Sequence, residues 1–600
     1  MNLLISFNFS SFVVDKIPMQ RGLYLSLGCA MALAAVPNAF AQTAVERNLP
    51  PAPVAPAAPI IEPNAVPASQ DATPLGVNLR AIVLLGAKDT ALTNAQVAGG
   101  VQMDKVPMLD NKKIRAALAR FIGRPLSRKL IAEIQAEIAG QARKVDRPFV
   151  SLSTPEQEIT GGVLQIRVTE FVAGQIGTSG VNANDGVALT RGVRLQPGQP
   201  VNSSVLSEDL DWLNRNPFRT VGALFAPAST QGATDLTLSV EQRNPYRFYA
   251  GWANTGSQST GFARSYIGAV SALPGLRDSY FSYQLTGSRD FWKDGDSYLT
   301  NPARFVSQGM RVYIPTFARQ NIEFTLSDSL TNQLVNADFT VRQRTTEATL
   351  GYRSALSNLG LPAGSGDILF GIEGKRQHRV VYFGSETALD LSADAWQGLL
   401  GWSKGWQGDG SQASAAVNLH TSPGGVSDRS SGERLKELTN GRVSSDKYSY
   451  VTVDFSAATR LPRGFAVQSQ VSGQYASKVL PLSAQIGLGG DGLVRGFTPD
   501  DGSFDAGVVL RNELRMPTFS ALKQDGALRD QLAPYVFLDA GRGRDLQLKT
   551  NTSLASAGIG ADYSLGQHVN AGFNSAWALK DGPRTQRGDW RVQARATITF

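Results

Sequence analysis

The sequence predicts a mixed fold: two small α/β modules followed by a transmembrane antiparallel β-barrel of about sixteen strands. Three observations predict it. Helical periodicity is present between residues 75 and 243 and then largely disappears. From residue 244 onward, short runs alternate apolar and polar residues between Gly-rich polar segments. The chain ends "DWRVQARATITF", with Trp590, Val592, Ala594, Ala596, Ile598 and Phe600 on one side and Arg591, Gln593, Arg595, Thr597 and Thr599 on the other. Successive side chains of a strand point to opposite faces, so this is a strand with one greasy face. Terminal residues of a soluble domain usually fray, whereas a barrel needs its last strand to close.

Composition narrows the class. The chain has 600 residues, 60 of them glycine, and a formal charge of +8 without a Lys/Arg block. Turn-rich β structure fits this better than a helical bundle, and nucleic acid is not an expected partner. The single cysteine, Cys29, lies in an N-terminal leader, so neither a disulfide framework nor a thiolate metal site is expected. His378, His420 and His568 are far apart in sequence and match no zinc-ligand spacing. No cofactor, metal or catalytic residue is expected, and the chain does not read as an enzyme.

Residues 1–41 read as a signal peptide, with Met19 as the true start. Arg21 supplies the positive end, Leu23 to Val36 the apolar stretch, and Ala39-Phe40-Ala41 the cleavage signal before Gln42. Residues 42–74 form a Pro-rich tether, with Pro50, Pro51, Pro53, Pro56, Pro59, Pro63, Pro67 and Pro74 among alanines.

Residues 75–172 form the first module. "VNLRAIVLLGA" is a strand, and Ile114, Leu118 and Phe121 mark one helix. Ser127 caps a second helix striped by Leu130, Ile131, Ile134 and Ile138. "PFVSLS" and "GVLQIRVTE" follow as strands, so the order is strand, helix, helix, strand, strand. Residues 173–243 repeat the scheme. Leu206, Leu210 and Leu213 stripe a helix that Pro217 ends, and "RTVGALFAP" and "TDLTLSVEQ" close the module. Its first strand falls near "GQIGTSG".

Residues 244–600 form the barrel. Tyr246, Phe248, Ala250 and Trp252 alternate with Arg247, Tyr249 and Gly251, and Val451, Val453 and Phe455 alternate with Thr452, Asp454 and Ser456. Only a closed barrel satisfies every backbone hydrogen bond in lipid. Trp590, Ile598 and Phe600 then belong to barrel closure, with Phe600 as a membrane-interface anchor. On "PYVFLDAGRG", parity puts Val536, Leu538 and Ala540 opposite Tyr535, Phe537 and Asp539. If the aliphatic face meets lipid, Asp539 looks into the lumen, because a carboxylate in lipid is costly. The same parity places Arg511 and Glu513 inside.

"GLGGDG" satisfies G-x-G-x-x-G by letter, but Pro499 and the absence of a helical stripe after it exclude a dinucleotide site.

Several stretches, in order, resemble the two-partner secretion transporters, the TpsB (FhaC/ShlB/HecB) type of the BamA-like superfamily. "FIGRPLS" and "PFVSLSTPEQEITGGVLQIRVTE" resemble the first of its POTRA domains. "LNRNPFRTVGALFAP" and "GATDLTLSVEQRNPYRFYAGWANTGSQSTG" resemble the second and the first barrel strand. "GGDGLVRGFTPDDGSFDAGVVLRNELRMP" resembles the barrel's diagnostic loop, with its motif at Val494, Arg495, Gly496 and Phe497. The resemblance implies a bacterial outer-membrane protein with periplasmic POTRA domains that exports a large, extended β-helical exoprotein, as in hemolysin secretion or activation. It also implies contact with outer-membrane lipid, periplasmic chaperones and the barrel-assembly machinery, in a chain expected to be monomeric. Family members often carry a pore-plugging helix before the tether. Here only "AQTAVERNL" precedes Pro50, too short for a stable helix alone, so a full plug helix is not expected.

Within this frame the motif loop folds into the lumen. Glycines on both sides allow a tight hairpin, and Arg495 reaches a wall carboxylate, Asp539 first and Glu513 second. Three other functions stay open at this point: an insertase of the same superfamily, a passive porin and a lipid hydrolase. The paired modules favour export over a porin, and the histidines lack a nucleophile motif.

Overall fold

A computed structural model describes residues 60–61, 69–230, 232–293, 303–335, 338–408, 410–522 and 529–600. The expected leader and the "AQTAVERNL" stretch lie outside these residues.

The first module is a four-stranded sheet covered by helices α1 (Lys112–Ala119) and α2 (Arg128–Lys144). Ala81–Leu85 runs parallel to Val163–Glu170, which pairs antiparallel with Val150–Ser153. Ile114, Leu118, Leu130, Ile134 and Ile138 pack against Ile82, Leu84, Leu164 and Ile166. The second module has helices α3 (Ala183–Arg191) and α4 (Ser203–Leu213). Its strands are Val172–Ser179, Arg219–Pro227 and Ala233–Gln242. All four helices start on a side chain that accepts a backbone N–H: Asn111, Ser127, Asn182 and Asn202. Each such cap contributes about 1 kcal/mol.

Two elements carry no pattern in the sequence: one extends the first module, and the other, α3, completes the strand, helix, helix, strand, strand order expected of the second. A three-residue strand, Gly100–Gln102, adds to the edge of the first sheet and is too short to show alternation. Helix α3 shows no stripe because it buries only Gly186 and Leu189. Gly186 is there for close approach: a Cβ on it would lie 2.4 Å from Thr178 Oγ1.

The barrel is closed and has sixteen strands, each paired to its sequence neighbours in the ring. They are β1 (Tyr246–Ala253), β2 (Arg264–Ala272), β3 (Tyr280–Gly287), β4 (Phe305–Pro315), β5 (Gln320–Leu334), β6 (Phe339–Ala355), β7 (Asp367–Phe383) and β8 (Glu386–Gly408). The ring continues with β9 (Ser411–Ser422), β10 (Tyr448–Arg460), β11 (Ala466–Ala476), β12 (Ala506–Arg515), β13 (Asp530–Asp545), β14 (Thr550–Leu565), β15 (Val569–Ala578) and β16 (Trp590–Thr599). Strand β13 shows the two faces. Val536 and Leu538 are 36% and 55% exposed on the outside, while Tyr535, Phe537 and Asp539 are buried at 5%, 5% and 0%. Strands β6 to β8, at 17, 17 and 23 residues, are the longest of the ring, and with β5 they run up to the mouth far from the modules. There the outward face changes to ion pairs, Arg344 with Asp328 and Arg376 with Asp394. The apolar band therefore ends below them.

The second module docks on the near mouth. Arg215 pairs with Asp367 and lies over the Trp212 ring at 3.4 Å, while Arg219 and Asn216 both donate to Asp278. Asp209 accepts from Arg194 at 2.9 Å and from Arg319, in the β4–β5 turn, at 3.2 Å.

Candidate functional site

The site is the long loop between β11 and β12, which folds back into the lumen as a hairpin. A two-residue ribbon, Ile486–Gly487 against Ser503–Phe504, forms its stem. Ile486, Leu488, Leu493, Val494, Phe497 and Phe504 give it an apolar core that also touches Val509, Leu554 and Ala578 of the wall. The wall makes room with glycine. A Cβ on Gly543 would meet the Phe504 ring at 2.4 Å, and one on Gly541 would meet Val494 at 2.9 Å. Both alternate along β13 with the outward Arg542 and Arg544, so they lie on the lumenal face.

Arg495 is the largest side chain buried below 2% in the described chain. Its Nε donates to Asp539 Oδ2 at 2.7 Å and its Nη2 to Asp539 Oδ1 at 2.9 Å. Nη1 donates to Glu513 Oε1 at 2.6 Å. The guanidinium carbon lies 3.7 Å from the centre of the Phe537 ring. Gly496 has φ +87°, a conformation that suits glycine, and a Cβ there would crowd Ala576 at 3.2 Å. Phe497 and Val494 are fully buried. The expected site residues Val494, Arg495, Gly496 and Phe497 thus sit inside the barrel, and Arg495 meets both Asp539 and Glu513.

The polar contacts run on beyond this pair. Glu513 also holds Arg515, which holds Asp562; Asp562 holds Arg595 of the last strand, and Arg595 reaches Asp491 back on the hairpin at 3.4 Å. Asn574 donates to the same Asp491 at 3.3 Å. The hairpin is therefore tied to the wall at two points linked by a row of alternating charges.

The far mouth carries a second set of contacts that the sequence did not disclose. Asp505, fully buried, accepts from the backbone N–H of Leu480 and Leu546, from Gln485 and from Arg442. Asp501 accepts from the N–H groups of Arg584 and Thr585 and from the Thr585 hydroxyl. Asp500 accepts from the N–H and hydroxyl of Ser259. Three carboxylates on the hairpin's second limb thus gather the loops after β1, β9, β13 and β15. Helix α5 (Gly432–Leu438), in the loop after β9, packs Leu435 and Leu438 on Ala393 of the inner wall.

The closing strand places Trp590, Ile598 and Phe600 on the outer face, 65%, 47% and 73% exposed. Trp590 lies at the far mouth and Phe600 at the near one. The seam between β16 and β1 has five paired positions, Arg595–Thr599 against Tyr249–Ala253. Phe600 N–H extends it to Phe248 O, and the Asn254 side chain bonds Val592 O and Ala594 N–H. Three polar residues of "LNRNPFR", Arg215, Asn216 and Arg219, form the joint to the barrel, while Asn214 bonds the backbone of Val221 within the module.

Comparison with known proteins agrees with this architecture. The family described as haemolysin secretion/activation protein ShlB/FhaC/HecB matches residues 374–563. The outer membrane transporter CdiB of Dickeya dadantii (strain 3937) is 25% identical over 396 residues, 61% of this chain and 62% of that protein. The match thus spans less than two thirds of the relative's length. The solved CdiB from Escherichia coli has a TM-score of 0.59 at 18% identity, covering 89% of this chain and 93% of its own. CdiB from Acinetobacter baumannii gives 0.55 at 15% identity, covering 90% and 91%. At these identities the structural likeness is one of fold. Together with the family match over part of the chain and the Dickeya relative, it supports an outer-membrane barrel with its POTRA modules in the periplasm, similar to the TpsB-type (ShlB/FhaC/HecB) transporters.

Proposed function

We propose that the chain exports one large, extended β-helical protein from the periplasm through its own barrel, as the secreting half of a two-partner system. One observation carries this reading: a hairpin of the chain itself sits in the lumen, held by polar contacts centred on Arg495 and Asp539. A pore with a removable plug suits a regulated passage, whereas a diffusion porin has no use for one. The second POTRA module, held at the periplasmic mouth by Arg215–Asp367 and Arg219–Asp278, stands where an incoming chain would be received. Folding of the client outside would supply the driving force. Periplasmic chaperones and the barrel-assembly machinery would be its transient partners. Its relative is named an outer membrane transporter, which fits.

The five-position seam favours a second reading, insertion of other barrels into the membrane. Deleting the gene separates the two. Loss of a single large surface or medium protein, with other outer-membrane proteins at normal levels, supports export. A general fall in outer-membrane barrels, with no secreted protein missing, would overturn it.

A further inference from the structure

The outer face of β13 changes character at the far mouth. Leu532, Pro534, Val536, Leu538 and Ala540 share the outward face, and Arg542 and Arg544 follow on it, both exposed. At a tilt of about 40°, the stretch from Leu532 to Ala540 climbs about 20 Å, most of an apolar band about 25 Å tall. A charge inside that band is costly, so the two arginines stand at its far edge, among the lipid headgroups. Tyr475, outward at the end of β11 and 70% exposed, marks the same edge as an interfacial aromatic.

These arginines are not balanced. Their ladder partners on β12 and β14 are Ala506, Val508, Asn551 and Ser553, none of them acidic. Asp539 and Asp545 of the same strand lie on the lumenal face, where Arg495 and Arg442 hold them. Neither Arg542 nor Arg544 makes an ion pair among the described residues. By contrast, Arg344 and Arg376, outward at the same mouth, are paired with Asp328 and Asp394. Residues two apart in a strand have Cα atoms about 7 Å apart, and like charges so placed repel until an anion lies between them. Lys549, exposed in the turn after β13, adds a third cation.

The far mouth opens on the outer leaflet, because the modules mark the near one as periplasmic. That leaflet of a bacterial outer membrane is rich in glycolipid with phosphates on its sugar headgroup. A guanidinium donates two parallel N–H groups to a phosphate, and two guanidiniums side by side can share one.

We propose that Arg542 and Arg544 bind the headgroup phosphate of an outer-leaflet glycolipid. A lipid fits better than free phosphate, since its acyl chains would lie on Val536 and Leu538 directly below, 36% and 55% exposed. The bound lipid braces the strand whose inner face receives the hairpin at Asp539, Gly541 and Gly543. The site goes beyond the export reading, because an exporter and an insertase would carry it alike.

The test uses the full-length protein in detergent and reads bound lipid by native mass spectrometry. The probe is lipid A carrying both phosphates, compared with the same lipid stripped of them. Arg542→Gln/Arg544→Gln should bind the probe about tenfold more weakly than the parent, a difference of about 1.4 kcal/mol. The stripped lipid should bind the parent no better than the probe binds this variant. Arg542→Lys/Arg544→Lys keeps the charge but loses the fork, and should fall between variant and parent. Arg460→Gln/Arg463→Gln, an equal loss of exposed charge at the near mouth, should match the parent. Equal binding by the parent and the Arg542→Gln/Arg544→Gln variant, or equal binding of the two lipids by the parent, would overturn the proposal. Displacement of the probe by an equal concentration of inorganic phosphate would overturn the lipid as occupant. Should the glutamine variant not fold, the lysine variant and the stripped lipid decide the matter.

Discussion

Arg495 and Asp539 meet side by side, with two parallel N–H···O contacts of 2.7 and 2.9 Å in a place that water scarcely reaches. Removing one partner of such a pair strands the other charge, which typically costs about 3–5 kcal/mol. Removing both costs less than the sum. Arg495→Ala and Asp539→Ala should each raise the open probability of single channels in planar bilayers, and the double variant should add little. The expected coupling is about 1–3 kcal/mol. Arg495→Lys should behave like Arg495→Ala, because an ammonium cannot span both carboxylate oxygens and Glu513 together. Additive effects would dissolve the pairing.

A different kind of contact closes the far mouth. Asp505→Ala orphans the N–H groups of Leu480 and Leu546 as well as Arg442. Each unsatisfied group costs about 1–3 kcal/mol. Protease added to intact cells should then cut within residues 477–505, whereas Asp428→Ala, in an exposed part of the loop after β9, should leave the chain uncut. The Arg495 anchor is untouched in both, so cleavage reports the mouth alone.

Parity explains why some of this was readable in the sequence and some was not. Every membrane strand repeats at two, so the polar face of β13 announced Asp539 and that of β12 announced Glu513, and a Gly-flanked arginine between them had few other destinations. Arg595 was equally placed on a polar face, yet its partners, Asp562 two strands away on β14 and Asp491 on the hairpin, depend on register across β14, β15 and β16 and on where the loop folds, which no local pattern encodes. Asp500, Asp501 and Asp505 bind backbone N–H groups of remote loops, and a backbone group has no signature in composition. Helix α3 escaped for a plainer reason: with glycine in its middle and one buried leucine it has no stripe to see.

Gly543 gives a test that involves no charge. A side chain there would collide with the Phe504 ring at 2.4 Å, while the strand's backbone pairing to Gly507 and Thr552 needs no change. Gly543→Val should therefore expel the hairpin stem yet still yield a folded barrel, seen as an unaltered heat-modifiable band with higher channel conductance. Gly405→Ala is the control, since a Cβ at that position meets nothing within 4 Å. A silent Gly543→Val would mean that the hairpin does not rest where Phe504 places it.

The seam is the last place where single atoms decide an outcome. Asn254 stands just past the five paired positions and uses its side-chain amide as a substitute peptide, donating to Val592 O at 3.0 Å and accepting from Ala594 N–H at 2.8 Å. Asn254→Ala removes the side-chain partner of both backbone groups, a cost of about 1–3 kcal/mol for each. Asn254→Asp keeps the acceptor but loses the donor, so it should fall between alanine and the parent. The temperature at which the folded band converts to the unfolded one on a denaturing gel should follow the order Asn, Asp, Ala. If all three convert together, the seam is held by the strand pairs and Phe600 alone, and opening it would begin at Thr599 rather than at Asn254.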